Sequence, residues 1–267
     1  MKLTRHLSPH GPRWAWRGFW LPEDLRLGLL LQVPASRLEA LLEDMVTQKA
    51  AAGPLLPPIE PEVEVWASGV TYQRSREARV SESKSGDVYD YVYAADRPEL
   101  FFKAMGFRVR GSGEQVRIRR DSRWTVPEPE VVLVLNALGE AVGYTAGNDM
   151  SARDIEGENP LYLPQAKVYE GACAIGSALC LGIPENLEIR MSITRKGKVV
   201  FIGETSTKAM RRSFAELSSW LFRELAFPRG VFLMTGTGIV PPDEFTLASG
   251  DHIRIQVGEV SLENEVE

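Results

Sequence analysis

The sequence predicts an α+β protein that is mostly β. Three observations carry that prediction. Short β-branched or alternating apolar runs recur from Ile59 to the C-terminus, and only two amphipathic helices stand out. Strands and helices also fail to alternate regularly, which argues against a doubly wound parallel sheet. The implied organisation is a small N-terminal domain over residues 1–58 and a larger domain over residues 59–267.

In the first unit, Trp14, Trp16, Phe19 and Trp20 form a compact aromatic cluster that reads as core packing. A strand-like apolar run, Leu27-Gly28-Leu29-Leu30-Leu31, follows. Ser36-Arg37-Leu38-Glu39 has the form of a capping box, and Leu38, Leu41, Leu42 and Met45 then share one helical face. Gly53-Pro54 and Pro57-Pro58 end this helix and serve as a linker. In the second unit, residues 63–66 alternate, residues 131–135 are a buried run, and residues 187–191 alternate again. Lys196-Gly197 turns a hairpin into residues 199–202, and residues 253–257 close the series. Ser213-Phe214-Ala215-Glu216 caps one helix, with Phe214, Leu217, Trp220, Leu221 and Leu225 facing inward.

The chain has 267 residues, 44% hydrophobic and 25% charged, which is ordinary for a soluble globular protein. A net charge of −5 argues against a nucleic-acid binder or an anionic-membrane binder, because either favours a basic surface. The two cysteines, Cys173 and Cys180, sit in an apolar stretch and read as buried thiols, which suits a reducing cytoplasm. No secretory signal pattern opens the chain, and its most apolar early run is too short to span a bilayer.

Glu128, Glu130 and Asp149 are the candidate metal ligands. Prolines flank Glu128 in Val126-Pro127-Glu128-Pro129-Glu130 and disfavour helix. On extended chain, residues i and i+2 point the same way, so both glutamates converge. Asp149 follows one hairpin later, after the turn Asn136-Ala137-Leu138-Gly139. Three oxygen ligands without Cys or His suit Mg²⁺, Mn²⁺ or Ca²⁺. A solvated strand entrance satisfies the same spacing, and spacing alone leaves both readings open. Arg153 and Asp154 read as structural ion-pairing groups. Lys167 interrupts an uncharged run and reads either as a surface lysine or as a cation placed to stabilise negative charge. No dinucleotide loop, phosphate loop or nucleophile elbow is present, and the three histidines lie far from the acidic cluster in sequence.

Taken together, these residues resemble the fumarylacetoacetate hydrolase superfamily. The resemblance runs from about Trp66 to the C-terminus. It rests on Pro98-Glu99-Leu100-Phe101-Phe102-Lys103, the Glu-Pro-Glu strand, Gly143-Tyr144-Thr145-Ala146-Gly147-Asn148-Asp149, Gln165-Ala166-Lys167, Ala174-Ile175-Gly176 and Thr235-Gly236-Thr237-Gly238. It implies a mixed β-sandwich or roll of that family's type, Mg²⁺ or a similar ion on Glu128, Glu130 and Asp149, and Lys167 in the substrate site. The segment from Arg153 to Lys167 is similar to the 2-keto-3-deoxy-D-arabinonate dehydratase branch, which implies a small N-terminal domain and a catalytic Glu99–Lys167 pair. Hydrolases of the superfamily carry a His and Glu pair after a Gly-x-Asn-Tyr motif. Here Gly69-Val70-Thr71-Tyr72 is followed by Ser75 where that His is expected.

The resemblance therefore implies a dehydratase of a 2-keto-3-deoxy sugar acid, converting 2-keto-3-deoxy-D-arabinonate to 2,5-dioxopentanoate through a metal-stabilised enolate. Glu99 and Lys167 divide the acid and base roles, and the sequence does not say which takes which. Lys103, Thr237, Arg74 or Arg76, and Glu158 are candidate substrate contacts, with Glu158 and Tyr162 in a segment that closes over the site. The alternative is a metal-dependent hydrolase or decarboxylase of an acylpyruvate or oxaloacetate; a non-catalytic binding protein is the rival from another class. The partner expected is a small 2-keto acid, with no nucleic acid and no membrane. A cytoplasmic homo-oligomer, dimer or tetramer, completes the expectation.

Overall fold

The computed structural model describes residues 1–82 and 86–267. The N-terminal segment holds β1 (Lys2–Ser8), β2 (Gly11–Trp16), β3 (Phe19–Trp20), α1 (Leu27–Leu30), α2 (Ala35–Met45) and β4 (Leu55–Leu56). Next come β5 (Glu64–Gly69), α3 (Gln73–Glu82), α4 (Gly86–Ala94), β6 (Glu99–Met105), β7 (Thr125–Val126), β8 (Pro129–Leu135), β9 (Ala141–Asp149) and β10 (Ser151–Ala152). Then follow α5 (Arg153–Glu158), α6 (Leu163–Lys167), β11 (Cys173–Ile175), β12 (Ala178–Leu181), β13 (Glu188–Arg195) and β14 (Lys198–Ser206). The chain closes with α7 (Phe214–Leu221), β15 (Val231–Met234), β16 (His252–Val257) and β17 (Val260–Glu265).

The mostly β, mixed α+β character expected from sequence is what the chain adopts. An 11-stranded sheet runs β3-β2-β1-β12-β9-β8-β15-β5-β6, with β11 on β9 and β4 on β1. A four-stranded sheet, β14-β13-β16-β17, lies apart from it, and β7 pairs β10. β15 pairs β5 in parallel, which makes the large sheet mixed.

β8 is buried along its whole length, which explains its unbroken apolar run. Val131, Leu133 and Leu135 pack with Ile189, Met191 and Ile255 of the smaller sheet. Val132 and Val134 pack on the other side with Trp14, Trp16 and Leu31. The N-terminal segment thus continues the large sheet through β1 and β12, with Lys2 opposite Cys180. Both cysteines are buried and free.

Three local expectations need correction. Residues 27–30 are helix rather than strand, because the buried Glu60 carboxylate accepts the Leu27 N–H at 2.8 Å and the Gly28 N–H at 3.4 Å and so caps a helical turn. Ser36 does not cap α2. That helix starts two residues earlier than a Ser36 cap would place it, and the Ala35 N–H donates to Glu140 Oε2 at 2.8 Å, a partner 105 residues away. Phe19 is exposed, while Trp14 and Trp16 form the buried part of the aromatic cluster. Elsewhere the expected signals operate: Ser213 accepts the Glu216 N–H at 3.1 Å at the start of α7. Lys196 and Gly197 both take positive φ in the β13–β14 turn.

Candidate active site

β8 and β9 run antiparallel with Glu130 opposite Gly147, so the start of one lies beside the end of the other. The Asp149 N–H donates to the Glu128 carbonyl at 2.9 Å. Glu128, Glu130 and Asp149 are buried, and one carboxylate oxygen from each lies within 4.8 Å of the others. The Gly236 N–H donates to Glu130 Oε2 at 2.6 Å. Only glycine suits that position, because its φ is +91° and a Cβ would collide with the Thr71 side chain.

The three carboxylates fit a divalent cation. They offer hard oxygen donors with no thiolate or imidazole among them. Burial, reinforced by the charges of Asp149 and Glu128, pushes the Glu130 carboxyl well above its ordinary range, a repulsion that a bound cation relieves.

Lys167 ends α6 and is buried against the same cluster. Its Nζ donates to Glu128 Oε2 at 2.7 Å, Asp149 Oδ2 at 3.1 Å and Ser151 Oγ at 2.5 Å. Burial alone would lower its pKa, but the Asp149 and Glu128 carboxylates outweigh burial and hold it above the ordinary lysine value. This lysine is therefore buried at the cavity and not a surface one.

Glu99 opens β6 and lines the same cavity. Burial first, and then the negative charge of Glu156, raise its carboxyl to about 7, against the opposing pull of Arg79 and Lys167. It faces Gly69 across the β5–β6 pair. At the end of β5, Val70 takes a φ of 52°, which a β-branched residue rarely adopts, and the turn it makes leads into α3 beside the cavity.

Two residues that the sequence did not single out, Arg79 and Glu156, also line the cavity. Arg79 Nη2 donates to Glu128 Oε1 at 2.6 Å, and its Nε pairs Glu156 Oε1 at 2.9 Å. Arg153 Nη1 also reaches Glu128 Oε1, at 3.0 Å. Between them, Arg79 and Lys167 overcome the cost of burial and hold Glu128 well below the usual carboxylate range. Their signal in the sequence was helical spacing. Ser75 and Arg79 lie four residues apart on α3, and Arg153 and Glu156 three apart on α5, so each pair shares a face.

The structure corrects several expected contacts. Arg74 is exposed, and Arg76 pairs Asp90 at 2.6 Å on the surface, because both flank the face that carries Ser75 and Arg79. Glu158 is exposed at the end of α5; Glu156 is the α5 carboxylate that lines the cavity. Lys103 does not line the cavity; its buried Nζ pairs Asp149 Oδ1 at 2.5 Å and donates to the Lys167 carbonyl. Arg153 and Asp154 pair apart, Arg153 with Glu128 and Asp154 with the Ser122 hydroxyl at 2.7 Å. Thr237 does line the cavity, with its hydroxyl tied to the Ile239 backbone. Ser75 lines it too, but its hydroxyl donates back to the Tyr72 carbonyl at 2.8 Å.

A family model described as fumarylacetoacetate (FAA) hydrolase C-terminal matches residues 64–267. A protein of Haloferax volcanii named probable 2-keto-3-deoxyxylonate dehydratase is 49% identical over 216 residues, covering 78% of this chain and 73% of that protein. The 2-dehydro-3-deoxy-D-arabinonate dehydratase of Saccharolobus solfataricus is 43% identical over 211 residues, covering 76% and 70%. Among solved structures, a 2-keto-3-deoxyarabinonate dehydratase superposes with a TM-score of 0.85 at 34% identity, covering 100% of this chain and 98% of that one. Another, described as complexed with magnesium and 2,5-dioxopentanoate, gives 0.80 at 33% identity, with 100% and 99% covered.

Proposed function

The chain belongs to the fumarylacetoacetate hydrolase family, and from that premise we propose that it is a Mg²⁺-dependent hydro-lyase removing water from a 2-keto-3-deoxypentonic acid. The substrate of this reading is 2-keto-3-deoxy-D-arabinonate and the product 2,5-dioxopentanoate, the compound named in the magnesium-bound relative. One observation carries the choice of dehydration within the family. The cavity joins a three-carboxylate cluster, Lys167 and Glu99, and no histidine lines it. Water activation by a His–Glu pair has no counterpart here, since Ser75 directs its hydroxyl into the backbone.

Glu128, Glu130 and Asp149 would hold the cation, which supplies Lewis-acid stabilisation of negative charge on the substrate's oxygens. Glu99, poised near neutrality, takes the proton from carbon 3. Lys167, placed as a donor, gives a proton to the hydroxyl departing from carbon 4. The resulting 3-ene then tautomerises, a proton leaving carbon 5 and one joining carbon 3, through the enol to the aldehyde of 2,5-dioxopentanoate. Lys103 fixes Asp149, and Arg79 with Arg153 fixes Glu128, so these cations orient the acidic groups. Thr237 lies on the cavity wall as a substrate contact. Incubation with the sugar acid and, separately, with an acylpyruvate and oxaloacetate tests this reading. Loss of water from the first supports it, and carbon–carbon cleavage of the others in its place refutes it.

The two buried thiols support a cytoplasmic setting. The exposed Val199, Val200 and Ile202 on the edge strand β14 support a homo-oligomer, dimer or tetramer, and size-exclusion chromatography with light scattering decides its size. None of the described helices is long and apolar enough to cross a membrane.

A further inference from the structure

Glu156 is 3% exposed, yet only one of its carboxylate oxygens has a partner among the described residues. Oε1 pairs Arg79 Nε at 2.9 Å, while Oε2 accepts no hydrogen bond from the described residues. The residue lines the same cavity as Glu99, Lys167 and the metal cluster. A buried acceptor without a donor is costly, and its persistence at a cavity wall points to a donor that arrives with the ligand.

The surrounding charges define that donor. Among the described residues the cations lining the cavity are Arg79 and Lys167, and both are held by carboxylates of the protein itself. A second carboxylate on a substrate would therefore face Glu156 and Glu99 instead of an uncommitted cation. An ionised carboxylate is acceptor-only, so it also cannot satisfy Oε2, whereas a hydroxyl can donate to it. The negative charge of Glu156 already acts across the cavity, since it helps to raise the Glu99 carboxyl.

Resting on the dehydratase reading, we propose that Glu156 is the specificity residue for the substrate's far end. Its Oε2 accepts a hydrogen bond from a hydroxyl of a polyhydroxylated 2-keto monocarboxylate, and its charge excludes 2-keto dicarboxylates of the same length. Selection of this kind combines a new attraction with a built-in repulsion.

2-Oxoglutarate is the probe, because it has the same five carbons as a 2-keto-3-deoxypentonate but ends in a carboxylate. Its affinity is measured by calorimetry and as an inhibition constant, alongside KM for the sugar acid. Glu156→Gln keeps the shape and removes the charge. It should bind 2-oxoglutarate at least about tenfold more tightly than wild type and raise KM for the sugar acid about tenfold. Glu156→Asp, which keeps the charge, should exclude 2-oxoglutarate as wild type does. Equal 2-oxoglutarate affinity in wild type and Glu156→Gln, or admission of the probe by Glu156→Asp, overturns the proposal. Failure of wild type to dehydrate the sugar acid would sink the dehydratase reading separately, and the calorimetric comparison would still decide whether Glu156 excludes the dicarboxylate.

Discussion

Gly69 and Glu99 face each other across the β5–β6 pair, and a Cβ on residue 69 would collide with Oε2 of Glu99. The glycine is the space into which the Glu99 carboxyl folds. Gly69→Ala should therefore displace Glu99 while leaving the three carboxylate ligands in place. Misplacement on this scale costs about 10²-fold in turnover, so kcat should fall by about that factor with Mg²⁺ binding retained. Unchanged kcat would show that the position of Glu99 is not set by Gly69.

The raised Glu99 carboxyl, at about 7, makes a signed prediction for pH. A base must be deprotonated, so kcat/KM should rise with pH through a midpoint near 7. Glu156→Gln removes a negative charge that raises Glu99, so the midpoint should move to lower pH. A limb that falls through this range would assign Glu99 the acid role.

Arg79 and Arg76 separate what lines the site from what merely lies near it in sequence. Arg79→Met removes two contacts of the buried acidic network and should lower kcat/KM by about 10²-fold. Arg76→Ala breaks an ion pair with Asp90 on the surface and should change kcat/KM less than about twofold. The reverse ranking in steady-state kinetics would contradict the placement of α3.

Lys103 is the buried counter-charge of Asp149. Lys103→Met leaves that carboxylate without its nearest cation and should cost about 3–5 kcal/mol in urea unfolding of metal-free protein. A change below about 1 kcal/mol would show that the pair contributes little.

The fold class and the convergence of Glu128, Glu130 and Asp149 were legible because local rules govern them, while the choice of a metal over a solvated strand entrance came from the family resemblance. Prolines on both sides of Glu128 force extended chain, and extended chain puts residues 128 and 130 on one side. The hairpin turn then returns Asp149 to Glu128 by a backbone hydrogen bond. Arg79 and Glu156 were not legible, because helical spacing groups residues into faces without saying which face meets the cavity. Arg74, Arg76 and Glu158 were drawn from the same helices but the wrong faces. Residues 27–30 misread as strand for a related reason: their helical cap comes from Glu60, which is distant in sequence.

The central claim is that this carboxylate cluster supports dehydration through its cation. The direct measurement is an assay of chelator-stripped protein with 2-keto-3-deoxy-D-arabinonate, before and after adding Mg²⁺, following products by mass. The account predicts no turnover without metal and, on addition, loss of one water to give 2,5-dioxopentanoate, with Glu99→Gln inert although it binds Mg²⁺. Water loss at the full rate without metal, or full activity in Glu99→Gln, would contradict it.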